Sequence, residues 1–104
     1  MSKTITENDM ENNKKIRMRI TFYGSVQGVG FRYRAKYAAD DLGLTGWVEN
    51  EWDDTVRMEV QGGREAIFQM ISRIGAGTFV NIENMDMREI PPDPEERSFF
   101  VRGY

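Results

Sequence analysis

Apolar and polar residues alternate along two stretches of the chain, which is the pattern of strands that bury one face. In residues 16–23 the apolar set is Ile16, Met18, Ile20 and Phe22. In residues 56–61 it is Val56, Met58 and Val60. The intervening residues in both stretches are polar, charged or tyrosine. We therefore predict two half-buried strands here.

Three further strands are predicted with less regular patterns. Residues 45–50 form the second strand in chain order, and the polar run 51–54 forms a turn into the third, because so short a connection favours a hairpin. A fourth strand is predicted within residues 78–87, around Val80 and Ile82. Residues 98–102 predict a short last strand.

Two segments have apolar residues at helical spacing instead. The first contains Phe31, Ala35, Ala38, Ala39 and Leu42, and Gly43 is a natural stop for it. The second contains Ile67, Met70, Ile71 and Ile74 and should end near Gly75, after a break in the preceding strand at Gly62-Gly63. Both segments are predicted to be amphipathic helices.

The element order is β-α-β-β-α-β with a short extra strand. This order predicts an α+β fold of the ferredoxin-like, split βαβ kind: a sandwich of an antiparallel sheet with two helices on one face. The chain has 104 residues, which suits one domain, placed at residues 16–104. Residues 1–15 are polar without apolar periodicity, and we expect a disordered tail there.

Composition narrows the functional classes. The chain has 14 Lys and Arg against 17 Asp and Glu, a net charge of −3, which argues against a general nucleic-acid partner. It contains no cysteine and no histidine, so disulfide, thiolate and histidine chemistry are excluded. We expect no metal site and no cofactor. With no apolar run that could span a membrane and no secretory signal, a cytoplasmic location is expected, and a monomer is the default.

The segment Gly24–Arg32 is the strongest functional candidate. Its glycines lie between a predicted strand and a predicted helix, so its backbone N–H groups can surround an anion at the helix N-terminus. Arg32 occupies the first helical turn, where a cation opposes the helix dipole, and its guanidinium can grip a phosphate with two donors. Val26, Val29 and Phe31 would pin the loop to the core. These residues predict a phosphate site.

The run Val26–Arg32, followed by Gly46-Trp47-Val48-Glu49-Asn50, resembles the acylphosphatases. The similarity extends over residues 16–104, including Gly62-Gly63 and the aromatic C-terminal end. It implies an enzyme that hydrolyses the carboxyl–phosphate bond of small acyl phosphates without metal, cofactor or covalent intermediate. The resemblance assigns phosphate binding to Arg32 and to the loop residues Ser25, Val26, Gln27, Gly28, Val29 and Gly30.

The resemblance gives Asn50 the task of orienting the attacking water, and Arg32 and Asn50 are therefore the candidate catalytic residues. An amide side chain is a weak base, but it can both accept and donate hydrogen bonds to a water molecule. A plain turn residue is the alternative for Asn50, since Asn is common where strands end. The nearby acidic residues are expected to be solvated: Glu49, Glu51, Asp53 and Asp54.

Two other functions stay open at this point. Gly28-Val29-Gly30-Phe31 superficially resembles an aromatic RNA-binding pattern, although that pattern belongs on a strand. A relative that binds phosphate without turnover is the other possibility. It is kept open by Ser25, which stands where acylphosphatases often have a basic residue.

Overall fold

The computed structural model describes residues 14–103, which form five strands and two helices. In chain order these are β1 (Lys15–Ser25), α1 (Phe31–Leu42), β2 (Thr45–Asn50), β3 (Val56–Gly63), α2 (Arg64–Gly75), β4 (Asn81–Ile90) and β5 (Phe99–Arg102). The predicted element order is confirmed. The tail predicted for residues 1–15 lies outside the described residues except for Lys14 and Lys15, and Lys15 already belongs to β1.

The strands form one sheet in the order β4-β1-β3-β2-β5. The first four strands pair antiparallel, as predicted, whereas β5 pairs parallel to β2, with Gly46 opposite Phe99 and Glu49 opposite Arg102. The sheet is therefore mixed. The chain crosses from β4, at one edge, to β5 at the other edge.

Alternation divides the sheet into a helix-facing side and an open side. Ile20 and Phe22 of β1 and Met58 of β3 have no exposed surface and belong to the core beneath the helices. The small residues Ala35 and Ala39 of α1 are equally buried. The predicted buried faces of β1, β3 and both helices are confirmed.

Two predicted boundaries are wrong. The fourth strand spans Asn81–Ile90, not a short segment around Val80 and Ile82, because it pairs with β1 along residues 17–25. A register shift at Tyr23/Gly24 interrupts that ladder, which obscures the simple alternation in the sequence. The glycine pair also does not break β3: Gly62 pairs with Ile16, Gly63 pairs with Lys15, and α2 follows directly.

The long connection between β4 and β5 is fixed to the open side of the sheet by buried polar side chains. Arg17 donates to both carboxylate oxygens of Glu96, at 2.8 and 3.1 Å, and to Glu59 at 3.0 Å. Gln61 donates to the Asp93 carbonyl at 2.9 Å and accepts from the Asp93 N–H at 2.6 Å. This network guides the chain to the edge where β5 joins β2.

Within residues 14–103, neither helix has the length and apolar character needed to cross a membrane.

Candidate active site

The glycine loop, residues 25–30, leaves the end of β1 and leads into α1. Val26 and Phe31 are 1% and 2% exposed, and the Phe31 ring packs edge-on against Phe22 with centroids 4.8 Å apart. Gly28 and Gly30 have φ of 71° and 80°, while the space where a Cβ would stand is open. Glycine is therefore needed here for backbone conformation rather than for space, and the loop is anchored at both ends.

Gln27 ties the glycine loop to the hairpin turn between β2 and β3. Its side-chain N–H group donates to the carbonyls of Glu51 and Thr55, each at 2.7 Å. On the other side of that turn, Asp54 takes φ of 71°, a conformation that Asp tolerates better than most residues. The two segments that carry the candidate residues are therefore held together directly.

The N-terminus of α1 has its backbone donors available. Gly30 is the N-cap and offers no side-chain hydrogen bond, and the first turn contains no acidic residue. In α2 the first turn contains Glu65. The leading N–H groups of a helix have no intrahelical partner, so an anion can satisfy those of α1.

Arg32 lies in that first turn and is held by the last strand of the sheet. Its Nη1 donates to the backbone carbonyl of Arg102 at 3.0 Å. Within residues 14–103, no carboxylate forms an ion pair with Arg32. One donor of the guanidinium is fixed, and its remaining donors can bind an external anion.

Asn50 is the last residue of β2 and is half-buried. Its side-chain oxygen Oδ1 is buried and has no hydrogen-bond partner among the described residues. A buried polar atom without a partner is costly in free energy, so such an atom calls for a specific explanation. Asn50 is also one of the residues that line the loop cavity described below.

The acidic residues beside Asn50 are not all solvated, in contrast to the expectation from sequence. Glu49 lies 3.5 Å from Arg102 Nε, and Glu51 lies 3.4 Å from Arg57 Nε. Only Asp53 and Asp54 of this group are exposed. Because Glu49 and Glu51 are each paired with an arginine, their charges repel a bound phosphate less than the sequence suggests.

One cavity of about 170 Å³, the loop cavity, brings the candidates together. It is lined by Val26, Gly28, Gly30, Phe31, Arg32, Tyr33 and Asn50. Of the predicted phosphate-binding residues, Ser25, Gln27 and Val29 do not line it: Ser25 ends β1, the Gln27 side chain holds the turn, and Val29 packs against the core. The cavity is smaller than the ~300–1,000 Å³ of typical drug-sized ligand sites and suits a compact group.

Sequence reasoning missed Tyr33, the Arg102 carbonyl and the Gln27 side-chain bonds. Tyr33 could have been noticed as an aromatic residue off the apolar stripe of α1, whereas the other two depend on contacts distant in sequence.

Among residues 14–103, no group of three or more acidic side chains is arranged to hold a metal ion. Phe31 is the aromatic residue of the sequence pattern that resembles an RNA-binding motif. It is buried at the start of α1, whereas an RNA-binding motif would present its aromatic residue on a strand.

The family, sequence and structure comparisons each include matches to acylphosphatases. The family model described as acylphosphatase matches residues 18–101. An acylphosphatase of Geobacillus thermodenitrificans is 40% identical over 86 residues, which cover 82% of this chain and 92% of the relative. An acylphosphatase of Ligilactobacillus salivarius is 44% identical over 75 residues, which cover 70% and 83%. The crystal structure of acylphosphatase from Bacillus subtilis superposes with a TM-score of 0.77 at 29% identity, covering 85% of this chain and 99% of that one.

Proposed function

The chain belongs to the acylphosphatase family, and we propose that it hydrolyses small acyl phosphates in the loop cavity. The products are a carboxylate and inorganic phosphate. In this proposal the glycine loop and Arg32 bind the phosphate, and Asn50 orients the attacking water.

Phosphate binding rests on the N-terminus of α1 and on Arg32. The uncapped N–H groups and the positive end of the helix dipole favour an anion at this place. Arg32 adds a full positive charge with donors left over from its bond to the Arg102 carbonyl. Because the loop is anchored by Val26, Phe31 and the side chain of Gln27, its donors are ordered before the substrate arrives.

The chemical step needs mainly positioning. The water oxygen attacks phosphorus, the bond from phosphorus to the carboxylate oxygen breaks, and the carboxylate leaves with that electron pair. A carboxylate is a good leaving group, so little acid assistance is required, and a loose phosphoryl-transfer transition state depends chiefly on alignment and charge stabilisation. The water proton goes to a phosphate oxygen of the substrate, because an asparagine side chain is too weak a base to keep it.

The observation that carries the proposal is the unpartnered Oδ1 of Asn50 in a residue that lines the same cavity as Arg32. Once the Asn50 amide turns toward the cavity, a water molecule beside the phosphate can donate to this oxygen and satisfy it. The single cavity thus holds one group suited to each reactant.

Hydrolysis of acetyl phosphate tests the proposal. We expect the wild-type protein to release phosphate and Asn50→Ala to lower kcat by about 100-fold, since a group that aligns the nucleophile acts in the transition state. Competitive inhibition by inorganic phosphate should change less than twofold, because the phosphate donors are intact. Asn84→Ala, at an exposed asparagine of β4, is the matched control and should have wild-type kinetics.

Two results would contradict the proposal in different ways. If wild-type protein binds phosphate but does not turn over acetyl phosphate, the chain is a binding module. If Asn50→Ala keeps full turnover, Asn50 does not orient the water, although the hydrolytic function stands.

A further inference from the structure

We propose that a second cavity, beside the loop cavity, binds the acyl part of the substrate and favours uncharged aromatic or alkyl groups. This inference rests on the proposed hydrolysis of acyl phosphates. The cavity, here called the aromatic groove, has a volume of about 420 Å³ and runs between α1 and β5. Its lining includes Tyr33, Tyr37, Phe99, Phe100 and Val101.

The groove and the loop cavity lie next to each other. Tyr33 lines both cavities. Arg32, next to Tyr33, donates to the carbonyl of Arg102, which directly follows Val101 of the groove. An acyl phosphate held by its phosphate in the loop cavity carries its acyl carbon only one oxygen away from phosphorus. An acyl group that extends over Tyr33 therefore enters the groove.

Three exposed aromatic residues line this groove. Tyr33, Tyr37 and Phe100 are 60%, 70% and 57% exposed. Tyr33 and Tyr37 are four residues apart on α1 and so lie on the same helix face. Single exposed apolar residues are ordinary, but two tyrosines on one helix face beside a candidate active site indicate a binding surface.

The charges in the groove favour an uncharged group. Lys36 and Asp40, both in the lining, form an ion pair with Lys36 Nζ 3.0 Å from an Asp40 carboxylate oxygen. Because these two charges sum to zero, the groove lining gives no net preference for a charged acyl chain. The groove is also large enough: a cavity of about 150 Å³ already accommodates benzene.

Comparison of benzoyl phosphate with acetyl phosphate tests the inference, because these substrates differ only in the acyl group. We expect the wild-type protein to have the higher kcat/KM for benzoyl phosphate. Tyr37→Ala should lower the benzoyl-to-acetyl ratio of kcat/KM by about fivefold, mainly through the KM for benzoyl phosphate, as expected for loss of one aromatic contact. Phe79→Ala, at an aromatic that is 76% exposed and outside both cavities, is the matched control and should keep the wild-type ratio.

Binding of acetylphosphonate and benzoylphosphonate, measured by calorimetry, separates this inference from the proposed function, since phosphonates are not hydrolysed. Tighter binding of benzoylphosphonate that weakens in Tyr37→Ala supports the groove even if no acyl phosphate is turned over. An unchanged ratio in Tyr37→Ala, for both turnover and phosphonate binding, overturns the groove while hydrolysis stands. Equal loss for both acyl groups also overturns it, because a structural defect would have that effect.

Discussion

Arg17 and Arg32 are the same residue type in two regions of the molecule, and their surroundings differ sharply. Arg17 is 5% exposed and is bonded to Glu59 and to both oxygens of Glu96. Burial disfavours its charge, but the hydrogen bonds and charges of Glu96 and Glu59 outweigh that effect and raise the pKa of Arg17 above its usual value. This guanidinium has its counter-charges within the fold.

Arg32 is half-buried and is held by a single backbone carbonyl, with no ion pair to any described residue. Structural and functional arginines differ in how their hydrogen-bond donors are used. An arginine whose N–H donors are bonded to carboxylates of the fold stabilises the fold. An arginine that is held by one hydrogen bond, with other N–H donors available, is suited to bind an external anion. The two regions should therefore respond oppositely to mutation.

The largest effect is expected at Arg32. Arg32→Ala should lower kcat/KM for acetyl phosphate by about 10³-fold, because it removes the positive charge that stabilises the transferring phosphoryl group. The midpoint of denaturant unfolding should change little, since Arg32 has one hydrogen bond to lose. Arg34→Ala is the matched control: Arg34 is exposed and donates to the Arg73 carbonyl, so activity should be retained. Wild-type activity in Arg32→Ala would show that Arg32 does not stabilise the transferring phosphoryl group.

Arg17 should show the opposite response. Arg17→Met leaves the largely buried carboxylates of Glu59 and Glu96 without their cation, which should lower the free energy of unfolding by about 3 kcal/mol. Turnover by the folded fraction should stay at the wild-type level. Urea unfolding measures the first quantity, and acetyl phosphate hydrolysis well below the melting temperature measures the second.

Arg19→Met is the control for Arg17→Met, because Arg19 lies on the same strand and on the same open side of the sheet. Arg19 is less buried than Arg17 and has no ion pair among the described residues. Its effect on stability should stay within about 0.5 kcal/mol. The double variant Arg17→Met with Glu96→Gln should recover part of the loss, because it removes one of the stranded charges. If Arg17→Met and Arg19→Met lower the free energy of unfolding equally, the buried network of Arg17 does not stabilise the fold more than the less buried Arg19 does.

The sequence predicts this fold well where local periodicity is strong. The alternation in residues 16–23 and 56–61 and the helical spacing after Phe31 are set by which residues must be buried, so element order and core faces follow from them. The glycine loop and the resemblance to the acylphosphatases also indicated Arg32 and Asn50 as candidates, and both line the loop cavity. The length of β4 was not, because its pairing with β1 determines it more than its own weakly buried residues do.

The contacts that hold the candidate site and the buried network of Arg17 could not be predicted, since their partners are far apart in sequence. The bond from Arg32 to the Arg102 carbonyl joins residues 70 positions apart, and the pair Arg17–Glu96 spans 79 positions. No feature of the sequence around Gln27 predicts that its side chain hydrogen-bonds to the hairpin turn. These contacts exist only once the sheet order is established.

Asp53 lies in the hairpin turn beside Asn50, and its carboxylate is well bonded, like the Arg17 guanidinium, but exposed, so we expect only a small effect on stability. The Thr55 hydroxyl donates to Asp53 Oδ1 at 2.6 Å and the Thr55 N–H donates at 3.2 Å, and these bonds lower the pKa of Asp53. A lowered pKa in the folded state means that this stabilisation is present above the ordinary Asp pKa of about 4 and is lost as pH falls through the folded value. Thr55→Val should therefore raise the pKa of Asp53 in a carboxyl NMR titration, with a small loss of stability at neutral pH that fades below about pH 4. Thr45→Val, at the other end of β2, should leave that titration unchanged, and an unchanged Asp53 titration in Thr55→Val would show that hydrogen bonding does not tune this turn.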